Sequence, residues 1–195
     1  MSILAAELKK EADFLLFKCG IYDTLKEIGK VYFTGSYELD VMVWPDIDIY
    51  LVTPKSKNII TELGIAAGKL IANYDRIVTV KVERDYCKRL ASCPPGQYLQ
   101  LKIETDSFDC LWKVDIWVIP QQALQKKLYE TEDFLKHMTK DKRNLILECK
   151  QRLKGDNFRT PSFSSYHVYK AVLQKKITNI TDIIDYVGTK IKFKA

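Results

Sequence analysis

The sequence predicts an α+β protein with a mixed sheet of about five strands flanked by helices, followed by a C-terminal helical region. Three observations lead there. Short segments with strand-like alternation or apolar runs all fall before Pro120, helical periodicity governs the chain after it, and nearly half of the 195 residues are hydrophobic, enough for a full core. No run of about eighteen apolar residues is present, and Glu7, Lys9, Lys10 and Glu11 follow Met1 too closely for a signal-peptide core. The expectation is a protein of the cytoplasm with no membrane association.

The elements follow in order. Residues 3–28 carry a partial helical stripe (Leu4, Leu8, Phe14, Leu15, Leu25, Ile28) interrupted near Gly20. Val31 to Thr34 is a short apolar strand, 36–43 has room for one or two helical turns, and Ile47 to Val52 reads as a second strand. Residues 61–73 form a helix candidate. RIVTVKVE (76–83), 98–103 and 111–119 complete the sheet, the last two separated by the polar turn ETDSFDC. Helices are expected at 121–138, 141–154, 163–176 and 179–187, with 155–162 as the hinge candidate. Residues 1–120 are accordingly assigned to one domain and 121–195 to a helical region that shapes the substrate site.

Charge divides along the same line. Residues 1–120 hold 15 basic and 17 acidic side chains, whereas residues 121–195 hold 16 and 8. The basic part suits an anionic partner, either nucleotide phosphates or nucleic acid. Five scattered cysteines (Cys19, Cys87, Cys93, Cys110, Cys149), with no Cys-x-x-Cys pair and two histidines, read as reduced thiols rather than a zinc site.

The chemistry gathers in FTGSYELDVMVWPDIDIYLV (33–52). Alternation on a strand sends Asp46 and Asp48 to one face and Ile47, Ile49 and Leu51 to the other. At about 4 Å and an effective dielectric near 20, two such carboxylates repel by roughly 4 kcal/mol, so they must stay wet, take up a proton or share a cation. Oxygen-only ligands select a hard ion, and magnesium typically combines one or two carboxylates with substrate phosphates. Asp115, in the nearly continuous apolar run LWKVDIWVI, reads as a carboxylate in a strand buried on both faces; it needs a metal, an ion pair such as one to Lys113, or a wet strand end. Gly35 and Ser36, between a strand and a helical turn, offer close backbone approach and a hydroxyl to a phosphate.

Gly35-Ser36, nine intervening residues, Asp46-Ile47-Asp48-Ile49 and a later lone aspartate resemble the signature of the nucleotidyltransferase superfamily, the DNA polymerase beta-like fold, and in particular its small antibiotic-type members. Thr34 departs mildly from the hydrophobic residue common at that position. The resemblance covers roughly residues 30–120. It implies that Asp46, Asp48 and Asp115 bind Mg2+ and act in catalysis, with Asp115 taking the acceptor's proton, and that Gly35 and Ser36 contact a nucleoside triphosphate, ATP being the first choice. Among Lys126, Lys127, Lys136, Lys140, Lys150 and Arg143, it favours Lys150 and Arg143 as further nucleotide contacts, because TKDKRNLILECK resembles a helix of related transferases. The implied reaction is transfer of AMP to a hydroxyl of a small molecule such as an aminoglycoside or lincosamide, with release of pyrophosphate. Transfer to a protein or RNA, and a non-catalytic nucleotide-binding module, are the alternatives. Glu38, Asp40, His137 and His167 are expected at the surface, and Tyr37 in the core or stacked on a ligand ring.

Overall fold

The computed structural model describes residues 3–54, 58–84, 96–154 and 164–190. Cys87, Cys93 and the hinge candidate at 155–162 lie outside them. Two helices, α1 (Ile3–Phe17) and α2 (Ile21–Ile28), precede strand β1 (Lys30–Thr34), the single helical turn α3 (Gly35–Glu38), strand β2 (Asp46–Val52) and helix α4 (Ile59–Asn73). Strands β3 (Ile77–Glu83), β4 (Gln97–Ile103) and β5 (Trp112–Val118) complete one sheet of order β1-β2-β5-β4-β3. Only β2 and β5 run parallel; the other neighbours are antiparallel. The tail folds into α5 (Gln121–His137), α6 (Lys140–Lys154), α7 (Ser165–Tyr169), which continues as a π-helical turn over Lys170–Gln174, and α8 (Ile180–Gly188).

Period-two alternation sorts the sheet into two faces. Ile47, Ile49 and Leu51 of β2, Leu99, Leu101 and Ile103 of β4, and Trp112, Val114 and Ile116 of β5 are fully buried in one core with Leu8, Leu15 and Leu16 of α1, Leu25 of α2, and Leu63 and Leu70 of α4. Each such side chain contributes roughly 1.5–3 kcal/mol on burial. Burial of the three from β2 offsets the like-charge repulsion that Asp46 and Asp48 meet on its other face.

A second core lies beside that other face. It joins Leu39, Val41, Val43 and Trp44 to Phe134 of α5, Ile146 and Leu147 of α6, Val168 and Tyr169 of α7, and Ile183 and Val187 of α8. Residues from both sides of position 120 thus share one hydrophobic cluster, and the helical tail is packed onto the segment that leads into β2.

Two expectations change, for β5 and for the helix at 163–176. Strand β5 is not apolar on both faces, because Lys113, Asp115 and Trp117 line the polar side of the sheet while their neighbours fill the core. The helix after β1 makes one turn, within the one or two expected, and ends where Asp40 adopts φ 54° and turns the chain so that Val41 and Val43 enter the second core. The helix expected at 163–176 runs, among the described residues, from Ser165 and closes as the π turn over Lys170–Gln174, where the Lys175 amide donates to the Lys170 carbonyl. Among the described residues no helix is long and apolar enough to cross a membrane.

Candidate functional site

The parallel pairing of β2 with β5 sets Asp48 directly beside Asp115 and Asp46 beside Lys113. Across the sheet Thr34, Asp48, Asp115 and Gln100 form one register row. The three predicted carboxylates therefore share one face of two adjacent central strands.

Asp115 is held on every side. Tyr98 donates its hydroxyl to Asp115 Oδ1 at 2.6 Å, Gln100 Nε2 donates to the same oxygen at 3.0 Å and to the Tyr98 hydroxyl at 2.7 Å, and Lys113 Nζ lies 3.1 Å from Asp115 Oδ2. The same ammonium is 3.2 Å from Asp46 Oδ1. Burial tends to lower the Lys113 pKa, but Asp46, Asp115 and Asp48 together outweigh it and hold the ammonium well above its usual range. Asp48 is pushed well above the ordinary carboxylate range by burial first, then by Asp46 and Asp115, with Lys113 and the Trp117 side chain opposing. Burial also raises Asp46, against the attraction of Lys113.

The Gly-Ser turn closes onto this cluster. Gly35 has φ 65°, and a Cβ placed on it would lie 2.7 Å from Asp48 Oδ2. Only glycine allows the backbone this close to the carboxylate. Gly35→Ala is accordingly expected to displace the Asp48 carboxylate, to lower stability by about 1–3 kcal/mol in a thermal melt, and to cut turnover about 100-fold; wild-type melting and turnover would contradict this.

Half-buried Ser36 forms a trio with the buried Lys150 and Tyr169. Lys150 Nζ donates to Ser36 Oγ at 2.8 Å, to the Val41 carbonyl at 2.6 Å and to the Tyr169 hydroxyl at 3.2 Å, and the two hydroxyls are 2.9 Å apart. All three ammonium protons are used, and the hydroxyl pair retains one proton for an acceptor outside the trio. Lys150 is fully buried and lies 4.6 Å from the centre of the Trp44 ring. Burial pushes its pKa down to about 7, with Asp46 and Asp48 pulling the other way.

The remaining candidates lie elsewhere. Arg143 is engaged by Asp40, with Nε and Nη2 each 2.9 Å from Asp40 Oδ2. Lys126, Lys136 and Lys140 are exposed, and Lys127 faces Glu130 at 3.9 Å. Glu38 is exposed, and His137 contacts Asp133 at the end of α5. His167 is half-buried rather than at the surface, which lowers its pKa. Tyr37 belongs to the core, where its hydroxyl donates to Asp13 Oδ1 at 2.6 Å. The residues that sequence reasoning did not bring to the site are Tyr98, Gln100 and Tyr169; the first two required the β4–β5 register, and Tyr169 required the packing of α7 on α6.

The donor set fits a hard divalent cation. It consists of carboxylate oxygens alone, it has one adjacent ammonium for three carboxylates, and Asp46 Oδ1 is buried without an aligned hydrogen bond. Among the described residues no three Asp, Glu, His or Cys side chains close into a metal-ligating group in this geometry, in which Lys113 bridges Asp46 and Asp115.

No protein-family model and no curated protein matches the chain. Solved structures do. The Cid1 poly(U) polymerase with MgGTP bound matches at TM-score 0.57 and 18% identity over 86% of this chain and 50% of its own, and its Mg 3'-dATP complex at TM-score 0.55 and 18% identity over 85% and 48%. The chain has the nucleotidyltransferase fold. The GLD-2/RNP-8 complex is a further neighbour, at TM-score 0.50 and 12% identity over 100% of this chain and 59% of that one. This chain spans about half the length of the Cid1 chains. In this fold the Gly35-Ser36 turn, the Asp46-Asp48 strand and the Asp115 strand meet on one polar face.

Proposed function

We propose that the protein is a magnesium-dependent nucleotidyltransferase that moves a nucleoside monophosphate, AMP from ATP as the first choice, onto a hydroxyl group of a small molecule and releases pyrophosphate. The observation that carries this reading is the register row that sets Asp48 beside Asp115, with the Gly35 backbone packed against Asp48. Asp46 and Asp48, joined by Asp115, would hold magnesium, which when bound supplies charge neutralisation for the triphosphate and the departing pyrophosphate. The Gly35-Ser36 turn receives phosphate oxygens, and the hydroxyl of Ser36 is set by Lys150 and Tyr169.

The acceptor oxygen forms a bond to the α-phosphorus as the bond to the pyrophosphate oxygen breaks, and its proton passes to Asp115. Oδ2 is the oxygen for that role, because Tyr98 and Gln100 occupy Oδ1 and the contact of Oδ2 is with Lys113, whose flexible side chain can withdraw. Catalysis of this kind is positioning and electrostatics, which suits a site of fixed carboxylates on adjacent strands.

A second acceptor class is RNA. The fold likeness to a poly(U) polymerase and the excess of basic residues after position 120 favour it. Incubation with each α-labelled nucleoside triphosphate, Mg2+, and either an oligoribonucleotide or a panel of aminoglycosides and lincosamides tests both. Label on a small molecule is the expected outcome, label on the oligonucleotide assigns RNA, and tight nucleotide binding without any pyrophosphate release would overturn the enzymatic reading.

A further inference from the structure

The proposed metal position already has a cation of the protein's own beside it. Lys113 stands on β5 two residues before Asp115 and directly across from Asp46 on β2, so its side chain emerges on the carboxylate face by strand alternation alone. Its ammonium lies 3.2 Å from Asp46 Oδ1 and 3.1 Å from Asp115 Oδ2, bridging the two strands. The side chain is 28% exposed, whereas those of Asp46 and Asp115 are 19% and 8% exposed. Lys113 is thus the most exposed of the three, and its flexible four-carbon stem can withdraw where the shorter, more buried carboxylates cannot.

On the carboxylate reading given above, we propose that Lys113 is a built-in counter-ion that occupies the space between Asp46 and Asp115 and keeps a free divalent ion out until a nucleotide's triphosphate brings the ion in. Two charges decide the matter. With Lys113 in place, three carboxylates are partly neutralised, and a dication entering alone must displace an ammonium that has two good contacts. A nucleotide-bound ion arrives with phosphate oxygens that complete its coordination and offer the displaced ammonium a new anionic partner. The bridge also stabilises the cluster before any ion binds, since three adjacent carboxylates without it would repel one another.

The inference is tested by titrating Mn2+ into the full chain without nucleotide and following free Mn2+ by electron paramagnetic resonance, for wild type, Lys113→Met and Lys113→Arg. Lys113→Met is expected to bind Mn2+ at least tenfold more tightly than wild type, to melt at a lower temperature without metal, and to gain more from added Mn2+. Lys113→Arg, which keeps the charge, is expected to stay near wild type. Lys113→Gln is measured alongside, so that a poorly folding Met variant, identified by circular dichroism, does not decide the outcome. Mn2+ affinity in the folded neutral variants equal to or weaker than wild type would overturn the counter-ion role. If wild type takes up Mn2+ with ATP while the neutral variants show no gain without it, that role alone fails. If no variant binds Mn2+ even with ATP, the carboxylate site itself falls, and the inference with it.

Discussion

Asp48→Asn is expected to reduce nucleotidyl transfer by about 1,000-fold, equivalent to about 4 kcal/mol of transition-state stabilisation, while raising the melting temperature of the metal-free protein. The opposite signs have one cause. Asp48 lies half-buried beside Asp46 and Asp115, and desolvation and these two neighbours hold its carboxyl well above the ordinary range. A carboxyl raised in this way binds protons more readily in the folded chain than in the unfolded one, and stability therefore increases as pH falls from neutral toward the unfolded value. The amide mimics the protonated side chain at every pH. It relieves the repulsion permanently, by an amount on the order of 1 kcal/mol, which is about 3 °C for a chain of this size. Metal-free wild type should gain thermal stability between pH 7 and pH 5 relative to Asp48→Asn, and a variant that melted below wild type at pH 7 would refute the charge argument.

Lys150→Met is expected to weaken nucleoside triphosphate binding by 10- to 100-fold and to flatten the dependence of stability on pH. The ammonium is fully buried, and burial pushes its pKa down to about 7. For a base lowered in the folded state the sign is fixed: the unfolded chain binds more protons, so wild-type stability rises with pH from about 7 toward the ordinary lysine value. Methionine preserves most of the volume, carries no proton, and leaves the Val41 carbonyl and the Ser36–Tyr169 pair without their donor. Melting curves from pH 7 to pH 10 should climb for wild type and stay level for the variant. A triphosphate beside Ser36 would also raise the lysine pKa, so binding at pH 8 should take up protons, seen by calorimetry in buffers of different ionisation enthalpy. Proton uptake that persisted unchanged in Lys150→Met would assign it to another group.

The fold was legible where local pattern decides it. Alternation marked β2, β3 and β4, Pro120 marked the end of the sheet, and the Asp46-Ile47-Asp48 spacing placed both carboxylates on one face without any tertiary information. Asp115 announced itself by being charged in an apolar run. Its surroundings did not. Gln100 and Tyr98 reach it only through the antiparallel register of β4 on β5, and Lys113 reaches Asp46 only because β2 and β5 run parallel. A shift of one residue would have turned those side chains into the core. Lys150 and Arg143 stand on the same helix with equal claims in the sequence; the left-handed turn at Asp40 gives the guanidinium a carboxylate partner, and the Gly-Ser turn takes the buried ammonium.

The most direct test of the account is the rate of pyrophosphate release from ATP, with and without Mg2+, for wild type and Asp115→Asn. Asp115→Asn keeps the shape of the side chain that Tyr98 and Gln100 grip but removes the charge that takes the acceptor's proton. Wild type is expected to release pyrophosphate in a magnesium-dependent way, and Asp115→Asn to lose that release by about 1,000-fold while remaining folded by circular dichroism. Equal rates for the two proteins would contradict this.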